Sequence, residues 1–255
     1  MKELIVAESA AFAAGKIAMK YFQEELTIKK KGKIDLVTNV DIECEQKIKK
    51  VISEEFRKHS FLGEESGKDG NSEYVWIIDP IDGTTNFAHG LDNFSHSIAL
   101  AKNNELICGV VYNPVQKKMF KAYTGKGAFL NGKKIKVSST QTVVDSLVVT
   151  GFPYENDSLG EKAVSSVRRL RGNCQGIRRF GSAALDFCYI AQGVMDAYFE
   201  YDLKSWDAAA GMLIAREAGA KVTDINGNEA SLDTTHFLAS NGKIHDEIMK
   251  YLERV

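Results

Sequence analysis

The stretch Trp76-Ile77-Ile78-Asp79-Pro80-Ile81-Asp82-Gly83-Thr84-Thr85-Asn86 decides how the rest of the chain is read. Its apolar start predicts a strand that delivers Asp79 to its end. Pro80 lacks the N–H that ladder pairing needs and is expected to stop the strand there. Gly83-Thr84-Thr85-Asn86 then opens a turn or short helix. Two carboxylates three residues apart thus stand beside free backbone amides. Carboxylate oxygens and a turn carbonyl such as that of Ile81 are the donors Mg²⁺ prefers, and amides that begin a helix attract phosphate. Alone, the stretch equally fits a helix-capping Asp82 and a turn at Asp79.

Upstream, Phe61-Leu62-Gly63-Glu64-Glu65-Ser66 runs an apolar strand into paired acids. Downstream, Ser205-Trp206-Asp207-Ala208-Ala209-Ala210-Gly211 sets an acid at the start of a helix whose small residues permit close packing. Each alone reads as surface charge or as a first-turn acid favoured by the helix dipole. Apolar runs at 74–78, 94–101, 106–112 and Lys118–Tyr123 predict a meandering, largely antiparallel sheet. Helical spacing covers about residues 2–25 and 40–58. Beyond Asp157, helices at 159–170, 182–191, 206–218 and from 244 alternate with strands at 195–200, 221–224 and near 237. The fold class is α+β, a mixed α/β chain with sheets covered by helices. Three prolines and no Pro/Gly/Ser-rich tract leave no linker, so an N-terminal lobe (1–150) and a C-terminal lobe (151–255) are expected as one compact unit.

With 33 Lys and Arg against 34 Asp and Glu, the net charge of -1 gives no general pull toward polyphosphate backbones. No apolar run reaches the roughly 20 residues of a membrane span, and acids interrupt the N-terminal apolar stretch, so the chain reads as cytoplasmic. Cys44, Cys108, Cys174 and Cys188 form no C-x-x-C pair and read as reduced thiols. His59, His89, His96, His236 and His245 show no ligand spacing, and Lys29-Lys30-Lys31-Gly32-Lys33 reads as a solvated loop.

Taken together, these segments resemble the inositol monophosphatase family of magnesium-dependent, lithium-sensitive phosphomonoesterases. The resemblance rests on Asp35 to Asp41, Gly63-Glu64-Glu65-Ser66, Trp76 to Phe87, Gly109-Val110-Val111-Tyr112, Gly125 to Phe129, Gly181-Ser182-Ala183-Ala184 and Trp206-Asp207-Ala208-Ala209. It implies a layered αβαβα sandwich of the sugar-phosphatase type, usually a homodimer. By position it implies that Glu64, Asp79 and the Ile81 carbonyl hold a first Mg²⁺, that Asp79, Asp82 and Asp207 hold a second, and that Glu64 helps with a weaker third. Four such carboxylates and a phosphate dianion carry a formal charge of about -6, which three Mg²⁺ neutralise and two leave at about -2.

The implied reaction is direct attack of a metal-activated water on a phosphate monoester, here myo-inositol 1-phosphate, giving inositol and phosphate. Thr84 is implied as the hydroxyl that orients the water, with Glu64 or Asp41 as proton acceptor; Asp41 also fits an N-terminal cap of the second helix. Phosphate is expected at the amides of Gly83, Thr84 and Thr85, and the leaving alcohol at Gly181, Ser182, Ala183 and Glu200. A D-x-D nucleophile pair is absent, because Asp79 and Asp82 are three apart. Fructose 1,6-bisphosphate, histidinol phosphate and nucleotide 3'-phosphates remain alternatives on the same scaffold, with Arg178 and Arg179 as candidate contacts for a second phosphate. Arg168, Arg169 and Arg171 leave open an association with RNA or the transcription machinery.

Overall fold

Small residues recur along the chain wherever a helix must lie close to a sheet, and they set the layering. The computed structural model describes residues 1–23, 28–30, 36–153 and 158–255. Lys31, Gly32 and Lys33 of the lysine run, and Asp35, lie outside the described residues. The helices of the described residues are α1 (Lys2–Tyr21), α2 (Asn39–Glu55), α3 (Thr84–Ala88), α4 (Ser158–Leu170), α5 (Ala183–Gln192), α6 (Ser205–Glu217) and α7 (His245–Met249). α1 turns Ala7, Ala10, Ala11, Ala14 and Ala18 inward, a stripe at three- and four-residue spacing. With Ile48 and Ile52 of α2 it packs on Trp76, Ile78, Leu100 and Val110 of the first sheet.

Among the described residues that sheet has eight strands, and its centre is the expected meander: Tyr74–Asp82, Ser95–Lys102, Glu105–Asn113 and Lys118–Tyr123, antiparallel throughout. Ser60–Gly63 lies parallel to Tyr74–Asp82 on the other side. The opposite face presents Ile77, Ala99, Val111 and Phe120 to a second core built around α5 and α6. Every residue from Ala183 to Ala191 is buried, so α5 is a central helix rather than a surface one. A five-stranded sheet covers its far side, in the order Gly176–Arg178, Leu147–Thr150, Ala197–Glu200, Phe237–Ser240, Lys221–Asp224. α4 and α7 close the outer face over a third core that includes Val148, Phe199, Leu238 and Ile248. The layers are therefore αβαβα.

One local expectation is corrected. Pro80 does not end the strand, which runs on to Asp82, but pairing with Ser95–Lys102 shifts register between Asp79 and Asp82. A residue without an N–H is tolerated at such a bulge. In a regular strand, positions three apart face opposite sides. The irregularity is what lets Asp79 and Asp82 serve one cavity. α1 and α2 also stop short of the expected ends, at Tyr21 and Glu55.

Candidate active site

Past the bulge, Gly83 adopts φ 92° and starts α3. A Cβ there would lie 2.9 Å from the Gly181 carbonyl oxygen, so only glycine lets this turn approach the C-terminal half. The Thr84 hydroxyl, one residue on, lies 2.9 Å from the Ile81 carbonyl oxygen and 3.1 Å from Asp41 Oδ1. Asp41 is fully buried on α2 behind Thr84, at the third helical residue rather than at the cap.

A cavity of about 540 Å³ opens over this turn. It is lined by Glu64, Asp79, Ile81, Asp82, Gly83, Thr84, Gly181, Ser182, Ala183, Glu200 and Asp207, joined by Glu65, Arg179, Asp202 and Lys204. Thus all the expected site residues border one cavity except Asp41, which backs Thr84, and Thr85, half-buried on α3.

The acids perturb one another. Burial, then the charges of Glu64, Asp82 and Asp207, push the Asp79 carboxyl well above the ordinary carboxylate range. Asp79 Oδ1 is buried and has no hydrogen-bond partner among the described residues. Burial likewise drives Asp207 well above its usual range, against the bond its Oδ2 accepts from the Lys204 N–H at 2.6 Å. Asp82 caps the N-terminus of α5 from across the molecule. It accepts the Ala183 and Ala184 N–H groups, both at 3.0 Å, the Ser95 hydroxyl at 3.3 Å and the Ser182 hydroxyl. Burial raises its pKa to about 6 although these bonds pull the other way.

Among the described residues, no three His, Cys, Asp or Glu side chains stand close enough to chelate one ion as they are placed. Asp82 and Asp207 direct oxygens at backbone N–H groups instead. Each carboxylate oxygen keeps further lone pairs, and Asp79 Oδ1 is a buried acceptor with nothing opposite it. An all-oxygen set of four carboxylates and the Ile81 carbonyl fits a hard divalent cation in chemistry.

Also lining the cavity is Glu200, whose Oε2 accepts the Tyr198 hydroxyl at 2.6 Å. Burial raises the Glu200 pKa to about 7 against that bond. Asp186 on α5 belongs to no motif that marks it as a site residue. It is 1% exposed, and neither of its oxygens has a hydrogen-bond partner among the described residues. Burial, then the charges of Glu200 and Asp82, push it well above the carboxylate range. The available signal was a lone acid inside the apolar run Ala183 to Ala191. Arg179 reaches the cavity, and Arg178 does not line it. The histidines stay outside: His96 is buried against the Pro80 carbonyl oxygen, and His245 between Thr223 and Ser240.

A layered αβαβα chain with an acid-lined cavity where its two halves meet has the architecture of a sugar-phosphatase-type phosphatase. Residues 1–255 match the inositol monophosphatase family, and the chain belongs to it. It is 39% identical over 254 residues to the Nus factor SuhB of Pasteurella multocida, covering 98% of this chain and 95% of that one. It is 40% identical over 252 residues to the inositol-1-monophosphatase of Synechocystis, covering 98% and 88%. The crystal structure of the extragenic suppressor protein suhB from Bartonella henselae superposes with a TM-score of 0.95 at 36% identity, covering 100% of this chain and 99% of that one. Among the described residues no helix is long and apolar enough to cross a membrane.

Proposed function

We propose that the chain is a Mg²⁺-dependent phosphomonoesterase that hydrolyses myo-inositol 1-phosphate to inositol and phosphate. The observation that carries this reading is one cavity lined by Glu64, Asp79, Asp82 and Asp207 together with Glu200 and the start of α5. Glu64, Asp79 and the Ile81 carbonyl would hold the first ion, Asp79, Asp82 and Asp207 the second, and Glu64 would contribute to a third. When bound, Mg²⁺ supplies Lewis acidity, lowering the pKa of water and offsetting phosphate charge. Thr84 has one proton to donate; given to Asp41, it leaves the hydroxyl lone pairs to orient an attacking water. The Gly83, Thr84 and Thr85 amides would hold phosphate oxygens. Asp82, through its bonds to Ser182, Ala183 and Ala184, fixes the α5 start against which the alcohol would lie.

Glu200 suits a polyol because an ionised carboxylate accepts hydroxyl hydrogen bonds and disfavours a second phosphate. Glu200→Gln is expected to lower kcat/KM for myo-inositol 1-phosphate about 10- to 100-fold, the value of a charge-assisted bond, and to leave simple phosphomonoesters nearly unchanged. Equal losses on both would remove Glu200 from alcohol recognition. Steady-state kinetics on about ten phosphate esters, with and without Li⁺, tests the substrate itself. Inositol phosphate should lead, and Li⁺ should inhibit by occupying a metal position. A bisphosphate in the lead would shift the reading to the fructose 1,6-bisphosphate alternative, with Arg179 as its contact. Sedimentation velocity should show a homodimer.

A second reading, an added role in transcription, is supported by relatives named Nus factor SuhB. Arg168 and Arg171 are exposed at the end of α4, whereas Arg169 is held by Glu253 at 3.3 Å and by the Lys250 carbonyl at 2.6 Å. Retention of RNA polymerase on the wild-type chain, but not on a variant with Arg168 and Arg171 reversed to Glu, would support it. Equal retention, or none, would remove it.

A further inference from the structure

α2 carries a second buried acid one helical turn after Asp41. Glu45 is 3% exposed, and its carboxylate is committed to the turn that follows the strand Ser60–Gly63. Glu45 Oε2 accepts the Glu65 N–H at 2.9 Å, and Oε1 accepts the Ser66 hydroxyl. Lys49, one further turn along α2, pairs with Glu45 Oε1 at 3.2 Å and also donates to the Ser66 hydroxyl. A Cβ on Gly63 would lie 2.5 Å from the Glu45 carboxylate, so a side chain before Glu64 would have to displace Glu45 from the clamp. On the other side, the Glu64 N–H donates to the Ile78 carbonyl oxygen at 3.1 Å, tying the turn to the strand that carries Asp79.

Residues four apart on a helix share a face. Asp41 and Glu45 therefore form one buried acidic pair with two separate attachments: Asp41 to the Thr84 hydroxyl, Glu45 to the backbone on the C-terminal side of Glu64. We propose that Glu45 is a positioning residue, and that α2 sets the distance between the Thr84 hydroxyl and the Glu64 carboxylate by holding both from one face. This rests on the reading of Glu64 as a metal ligand. Glu45 lines no part of the cavity and acts through the turn it holds. A ligand fixed in advance binds its ion without a cost for ordering, and loss of such outer support typically weakens metal binding 10- to 100-fold.

The test compares Glu45→Ala, Glu45→Gln, Ser66→Ala and Glu64→Gln by calorimetric titration of Mg²⁺ without substrate, alongside circular dichroism and thermal midpoints. Glu45→Ala is expected to weaken Mg²⁺ about tenfold or more. Glu45→Gln, which retains an acceptor for the Glu65 N–H, should recover part of that, and Ser66→Ala should cost several-fold. At saturating Mg²⁺, kcat should return most of the way to wild type in Ser66→Ala. Should Glu45→Ala fail to fold, Ser66→Ala and Glu45→Gln carry the test. Mg²⁺ affinity unchanged in the folded Glu45 and Ser66 variants, with only the thermal midpoint lowered, would overturn the positioning role while weakened binding in Glu64→Gln upholds the metal site. Unchanged Mg²⁺ affinity in Glu64→Gln would instead remove Glu64 from the ligands, and this proposal with it.

Discussion

Replacing Asp79 by Asn is expected to reduce Mg²⁺-dependent phosphate release by at least about 10³-fold, equivalent to about 4 kcal/mol of transition-state stabilisation, without changing the circular dichroism spectrum. Asp79 is 2% exposed at the strand bulge, with Oδ1 unpartnered and its charge opposed by Glu64, Asp82 and Asp207. It is the carboxylate assigned to both principal Mg²⁺ positions, so the isosteric amide would weaken both at once. The same substitution should make the metal-free protein more resistant to heat, because holding a buried carboxyl protonated, or ionising it beside three other acids, costs stability that a neutral amide does not. The two results together discriminate. A variant that had simply misfolded would lose activity and thermal stability in parallel. Near-normal turnover in Asp79→Asn, or in Asp207→Asn, would sink the metal assignment.

Much of this was legible in the chain because the signals were local. The meander from Tyr74 to Tyr123 announces itself through apolar runs broken by turn residues, and the strand Lys118–Tyr123 has its expected limits. The short strands Gly67–Asp69, Ala128–Leu130, Lys133–Ile135 and Gly176–Arg178 do not, since three residues are too few to show alternation. Pro80 misled for a different reason. A missing N–H ends a ladder only if the partner strand keeps its register, and here the partner strand shifts. The acids Glu64, Asp79, Asp82 and Asp207 could be named from their motifs, but not the hydrogen bonds that Asp82 accepts at the head of α5, a hundred residues on. Glu45 and Asp186 were invisible as site residues, because a charged residue on a helix reads as solvated until burial is known. Their burial follows from layering: α2 is pressed on the first sheet, and α5 lies between the two.

The buried acids also dictate how the metal-free protein should respond to pH. Folded-state pKa values raised above their unfolded ones mean that the native chain binds more protons, so stability falls as pH rises through that window. Asp82 at about 6 and Glu200 at about 7 carry this effect up to neutrality, and burial raises Asp79, Asp186 and Asp207 in the same direction. Below about pH 6.5 an opposite effect interferes. His96 and His245, lowered by burial to about 4, are neutral in the fold and gain protons on unfolding, so their contribution grows as pH rises from 4 to 6.5. Between pH 6.5 and 8.5 the raised carboxyls dominate, joined toward 8.5 by the buried thiols of Cys44, Cys108 and Cys188, and a group withholds up to about 1.4 kcal/mol per pH unit while its native form stays protonated. The thermal midpoint of the metal-free protein should therefore fall by several degrees across this window, at about 2 to 4 °C per kcal/mol for a chain of this size. On the proposed reading Mg²⁺ would bind the ionised carboxylates, and at a hundredfold excess over its dissociation constant it would add about 2.7 kcal/mol, so at pH 8.5 the midpoint should recover. Asp79→Asn should flatten the metal-free profile and lose most of the Mg²⁺ response. A metal-free midpoint that stayed level or rose from pH 6.5 to 8.5, with no response to Mg²⁺, would mean that these carboxyls do not share one buried, metal-binding cluster.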